Sequence, residues 1–134
     1  MLRSQSLFLS MFFIASSARA GTITLNFEGF ANNASLTNQY AGFQFTNTRI
    51  STAGLSLNEI EFPAHSGTNV VTDLGGPISI AFTSPVLTFS GFFTYSSALT
   101  IFAFDSLNQA VGTTNSAFAS NFVSSGNPAE EYPH

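Results

Sequence analysis

The chain reads as an all-β protein, an antiparallel β-sandwich of jelly-roll type, and three features of the sequence point there. Apolar residues recur at every second position, no window beyond the first twenty residues keeps a 3.6-residue period, and polar, glycine-bearing turns separate the runs. Short strands joined by turns bury one face each, and packing two such faces together is the economical solution.

Each run supports that reading in order. In TITLNF, Ile23, Leu25 and Phe27 alternate with polar neighbours; GFQFTNT repeats the pattern with Phe43 and Phe45, and PISIAF with Ile78, Ile80 and Phe82. VLTFSGFFTY continues with Leu87, Phe89, Phe93 and Tyr95, and Gly91 marks a bulge or a close backbone approach. SALTIFAF is apolar on both faces, which predicts a central strand covered on both sides. DSLNQ then turns the chain into AVGTT, with Asp105 capping the turn through its side chain and Asn108 tolerating left-handed angles. ANNASLTNQY reads as a polar loop. Residues 115–123 either close the sheet edge or leave the sandwich a fragment, because an unpaired edge invites association.

The first twenty residues, MLRSQSLFLSMFFIASSARA, have the order of a secretory signal: an early cation at Arg3, a short apolar core, and Ala18-Arg19-Ala20 before Gly21. A transmembrane anchor needs about 20 apolar residues, and Ser10, Ser16 and Ser17 interrupt this run. The expected organisation is a signal peptide over 1–20, one sandwich domain over 21–126 and an irregular tail over 127–134. The expected location is secreted or at the cell envelope, with no membrane span after cleavage.

From Gly21 onward one cation, Arg49, stands against seven acids, a net charge of −6. Nucleic acid and anionic membrane are poor partners for such a surface, since neither meets a cationic patch able to release counterions. The absence of cysteine removes disulfides, thiol nucleophiles and thiolate zinc sites. Of the sixteen phenylalanines in the whole chain, thirteen lie from Gly21 onward and supply the apolar material for a core, for which roughly 110 residues suffice.

The stretch EIEFPAHSGTNVV, residues 59–71, gathers Glu59, Glu61, His65 and Ser66. A serine hydrolase needs a base against the serine and an acid against the base, and adjacent His65 and Ser66 point apart, with no G-x-S-x-G elbow elsewhere. Glu59 and Glu61 on one strand face would stand roughly 7 Å apart, a spacing open to glycoside hydrolysis but also to two ordinary surface acids beside packed Leu57, Ile60 and Phe62. The surface reading is the stronger, and the expectation is a non-enzyme. Asn33-Ala34-Ser35 is formally a glycosylation sequon.

ITLNFEGFANNASLTNQYAGFQF, followed by HSGTNVVTDLGGPISIAFTSPVLTFSGFFTY and LTIFAFDSLNQAVGT, resembles exported bacterial proteins of the PEP-CTERM sorting type over nearly all of residues 21–134. The resemblance implies a jelly roll similar to carbohydrate-binding modules, exported with exopolysaccharide and sorted at the envelope. The family's closing strand with its Asp-Asp pair, its Pro-Glu-Pro tripeptide, its hydrophobic tail and its basic cluster have no counterpart here. It also implies a structural calcium, held by Glu28 after the first strand and by backbone oxygens of the loop His65, Gly67 and Asn69, while the third ligand, an Asp of the last strand, is missing. The alternative for HSGTN is a tight turn built on Ser66-Gly67. A glycan platform would come from Tyr40, Tyr95 or Tyr132, or these rings belong to the core. The expected role is thus a secreted, non-catalytic partner of extracellular polysaccharide, the alternatives being a structural or adhesive envelope protein, a truncated fragment, or, last, a glycoside hydrolase.

Overall fold

The structure is a computed structural model that describes residues 21–131. Its elements are β1 (Phe43–Thr46), β2 (Thr48–Thr52), β3 (Asn69–Asp73), β4 (Ser79–Phe82), β5 (Thr100–Phe104), β6 (Ala110–Asn115) and one 3-10 turn, Val123–Ser125. The strands form three two-stranded antiparallel sheets, β1 with β4, β2 with β3, and β5 with β6. An all-β class with almost no helix is therefore observed.

The first two sheets are one kinked ribbon. Asn47, between β1 and β2, adopts φ 61°, a left-handed value that Asn tolerates better than most residues. Its carbonyl accepts from Leu74 N–H at 3.3 Å and its side-chain amide donates to Pro77 O at 3.2 Å, so the kink is matched by a break in the opposite strand. On one side of the ribbon, Phe45 and Ile50 bury completely with Leu36, ringed by Leu25, Phe27, Phe30, Tyr40, Val71 and Ile80. Leu36 comes from the stretch expected as a polar loop. Residues 33–36 instead run along β2, with Asn33 N–H donating to Ile50 O at 2.8 Å and Ile50 N–H to Ala34 O at 2.9 Å.

Other expectations need correction. TITLNF forms no strand: Leu25 and Phe27 do face the core, but no neighbour offers a ladder, and Phe27 takes φ 60° with its N–H given to the Tyr40 hydroxyl. VLTFSGFFTY makes only an isolated bridge, Phe93 to Glu131. At Gly91 no backbone of a described residue approaches; a Cβ there would instead sit 3.2 Å from the ring of Phe93. β5 is not a central strand. It pairs only with β6, and Phe102 and Phe104 are 59% and 57% exposed, because an apolar run encodes the capacity for cover on both faces without supplying the cover. Residues 116–122 do not add a closing strand.

The β5–β6 turn follows its chemistry. Asp105 Oδ1 accepts from Leu107 N–H and Gln109 N–H, both at 2.9 Å, and Asn108 takes φ 60°.

Candidate functional site

Residues 59–68 form no strand, and β3 begins only at Asn69. Asn58 O accepts from Phe62 N–H at 2.8 Å and Glu61 N–H at 3.2 Å, which coils the chain into a turn and sends the two glutamates to different places. Glu59 Oε2 accepts from Gly54 N–H at 3.0 Å, and that amide holds its carboxyl below the usual glutamate range. Glu61 Oε2 accepts from Ser124 N–H at 2.9 Å and Ser124 Oγ at 2.8 Å, capping the 3-10 turn from 63 residues away. Neither is left as an acid–base pair. Ile60, expected to pack, is 75% exposed, since the coil rotates it outward, while Leu57 is buried and Phe62 half-buried.

His65 turns away from Ser66 toward the C-terminal half. Its ring stacks on Phe92, and Nδ1 lies 3.2 Å from Glu130 Oε2. Phe62 meets Phe122 with ring centroids 6.0 Å apart, and Val123 N–H donates to Glu61 O at 3.0 Å. The quoted stretch is thus a clasp: in sequence it lies among the ribbon strands, and its side chains grip residues 92–130.

The structure does bring Glu28 to the HSGTN loop, as the resemblance implied, but with the opposite polarity. Glu28 Oε1 accepts from the N–H groups of Thr68 and Asn69, each at 2.9 Å, and Oε2 is 3.4 Å from Thr68 Oγ1. These amides, Asn69 first, hold the Glu28 carboxyl below its usual range. Gly67, at φ 63°, lets the loop close over the carboxylate, because a Cβ would collide with Oε1. Asn69 is buried, and its side-chain amide donates to Phe27 O and Phe30 O at 3.0 and 3.1 Å. A calcium site needs oxygens converging on a shared point. Here N–H donors face the carboxylate and His65 points elsewhere, so Glu28, His65, Gly67 and Asn69 do not fit a calcium ion; their arrangement is a turn anchored by a carboxylate.

The two described tyrosines are packing residues. Tyr40 is half-buried against Phe27, Phe30 and Phe45, and its hydroxyl accepts from Phe27 N–H at 3.0 Å. Tyr95 is buried, its hydroxyl donates to Glu131, and its N–H is met by Asn121 Oδ1 at 2.7 Å. Burial first, then Glu131, pushes the Tyr95 hydroxyl above its ordinary pKa. Tyr132 and residues 1–20 lie outside the described residues.

What sequence reasoning missed is a half-open cleft of about 1650 Å³. Ile78, Ile80, Phe82, Leu87 and Phe89 line it, together with Arg49, Ser51 and Thr72 from β2 and β3. The signal was available as Arg49, a single cation placed in a strand.

Compared with known proteins, the chain matches no family model, no curated protein and no solved structure. Among the described residues no helix is long and apolar enough to cross a membrane.

Proposed function

We propose that the chain is an exported, non-catalytic jelly-roll-type protein that associates with extracellular polysaccharide at the cell envelope. The observation that supports a binding role over an enzymatic one is the commitment of the acid–base candidates to structure. Glu28, Glu59 and Glu61 each hold main-chain N–H groups in separate places, and His65 joins a hydrogen bond to Glu130 and a ring stack on Phe92. A carboxylate engaged in this way is not poised to protonate a glycosidic oxygen.

With Tyr40 and Tyr95 packed away, the platform shifts to a phenylalanine. Phe89 is 44% exposed on the cleft wall, beside Thr88 and Ser90. A flat apolar ring of this kind can receive the carbon face of a sugar. The test is retention of the purified chain on insoluble polysaccharides. Retention that falls with Phe89→Ala is expected, and no retention on any polymer overturns the reading.

A structural or adhesive role is the second reading, favoured by the β5–β6 hairpin, where Phe102, Phe104, Leu107 and Val111 all stand exposed. Sedimentation across a concentration series distinguishes it: self-association abolished by Phe102→Ser with Phe104→Ser supports this role.

A further inference from the structure

We propose that Arg49 anchors a binding site for the carboxylate of an amphiphile, a saturated fatty-acid-like chain lying in the cleft. The proposal does not rest on the polysaccharide reading.

Arg49 is the only lysine or arginine from Gly21 to the end of the chain. The β2–β3 register sets it opposite Thr72, with Ser51 two residues along, on the face opposite the Ile50 and Val71 side chains that pack with the core. Its Nε donates to Thr72 Oγ1 at 3.4 Å, and the Thr72 and Ser51 hydroxyls lie 2.9 Å apart. Ser51 is buried, so this polar row is fixed in the sheet and not a mobile fringe.

Arg49 is half-buried, yet among the described residues no carboxylate lies within ion-pair distance of it. Arg has five N–H donors in a rigid fork that matches a carboxylate. Among the described residues Thr72 is the hydrogen-bond partner of the guanidinium, through Nε, and Arg49 lines the cleft. A ligand carboxylate supplies a counter-ion through bidentate, charge-assisted bonds.

The rest of the cleft selects the ligand's other end. Ile78, Ile80, Phe82, Leu87 and Phe89 present carbon, against which the methylenes of an alkyl chain lose their water. Besides Arg49, the charged or titratable lining groups are His65 and Glu130, already joined to each other. Seven acids repel an anion from most of the remaining surface, which directs a carboxylate to this one cation.

The test is displacement of a dansylated undecanoate probe from the purified chain by dodecanoate and, separately, by dodecanol. Dodecanoate should displace it about tenfold better or more, the effect of one charge-assisted contact. Arg49→Gln should erase the difference while leaving dodecanol unchanged, and Arg49→Lys should keep part of it. Equal displacement by acid and alcohol in the native chain overturns the proposal, as does a cooperatively melting chain that binds no probe. Galacturonate oligomers binding in place of dodecanoate also overturn it and transfer Arg49 to the polysaccharide reading, whereas failure on polysaccharides leaves this proposal standing.

Discussion

The imidazole of His65 lies flat on the Phe92 ring, with centroids 3.3 Å apart and planes 9° from parallel, while its Nδ1 faces Glu130 at 3.2 Å. One side chain thereby touches two segments that follow it by 27 and 65 residues. With Glu61 reaching Ser124, it joins the kinked ribbon to the C-terminal half.

If this clasp joins the halves, its two grips should be coupled. His65→Ala and Glu61→Gln should each cost about 1 kcal/mol, since exposed charged hydrogen bonds and ring contacts contribute at that level. The double variant should cost less than their sum, because the first loss already loosens what the second holds. Urea unfolding of the four forms measures this, and strict additivity would show that the contacts act independently.

Glu28 should make the fold acid-sensitive. Its carboxyl is held below its ordinary value by the Asn69 and Thr68 amides, so its contribution is present above the unfolded glutamate value of 4.5 and is lost as the pH falls through the lower folded value. The melting temperature of the native chain should therefore fall below pH 4.5 more steeply than that of Glu28→Gln. Parallel pH curves would contradict the assignment.

Gly67→Ala combines a left-handed backbone angle with a collision against Glu28. It should destabilise by about 1–3 kcal/mol, and pairing it with Glu28→Ala should recover the steric part. Thermal melts of the three variants decide it.

Calcium should leave the melting temperature unchanged, because the Glu28 oxygens already accept N–H groups. A folded-state ligand raises the transition by mass action, so a calcium-dependent rise reversed by chelator would show that the loop rearranges around an ion.

Where local chemistry decides the structure, the sequence was a good guide. Phe43 and Phe45 lie on one strand and Ile80 and Phe82 on another, as alternation predicts, and Asp105 with Asn108 builds the expected turn. Alternation also turned Leu25 and Phe27 inward, although no ladder formed around them. It failed where the outcome depends on a distant neighbour. SALTIFAF cannot announce whether a second sheet covers it, and a lone Leu36 between polar residues has no period to reveal its burial. The pairing of Glu28 with the HSGTN loop was legible as proximity but not as polarity, since a loop carries both N–H and C=O groups. The clasp was hidden because Glu61 and His65 find partners more than 60 residues away.

The β5–β6 hairpin also fixes an order of events in time. Its turn is sealed by a single aspartate within five residues, so it can close in about 1–10 µs, as isolated hairpins do. The ribbon must first bring residue 52 to residue 69, and the clasp must span longer loops still, so both close later. During that interval the chain carries a finished hairpin with Phe102, Phe104 and Val111 on display, and refolding yield should drop with protein concentration before any native property changes.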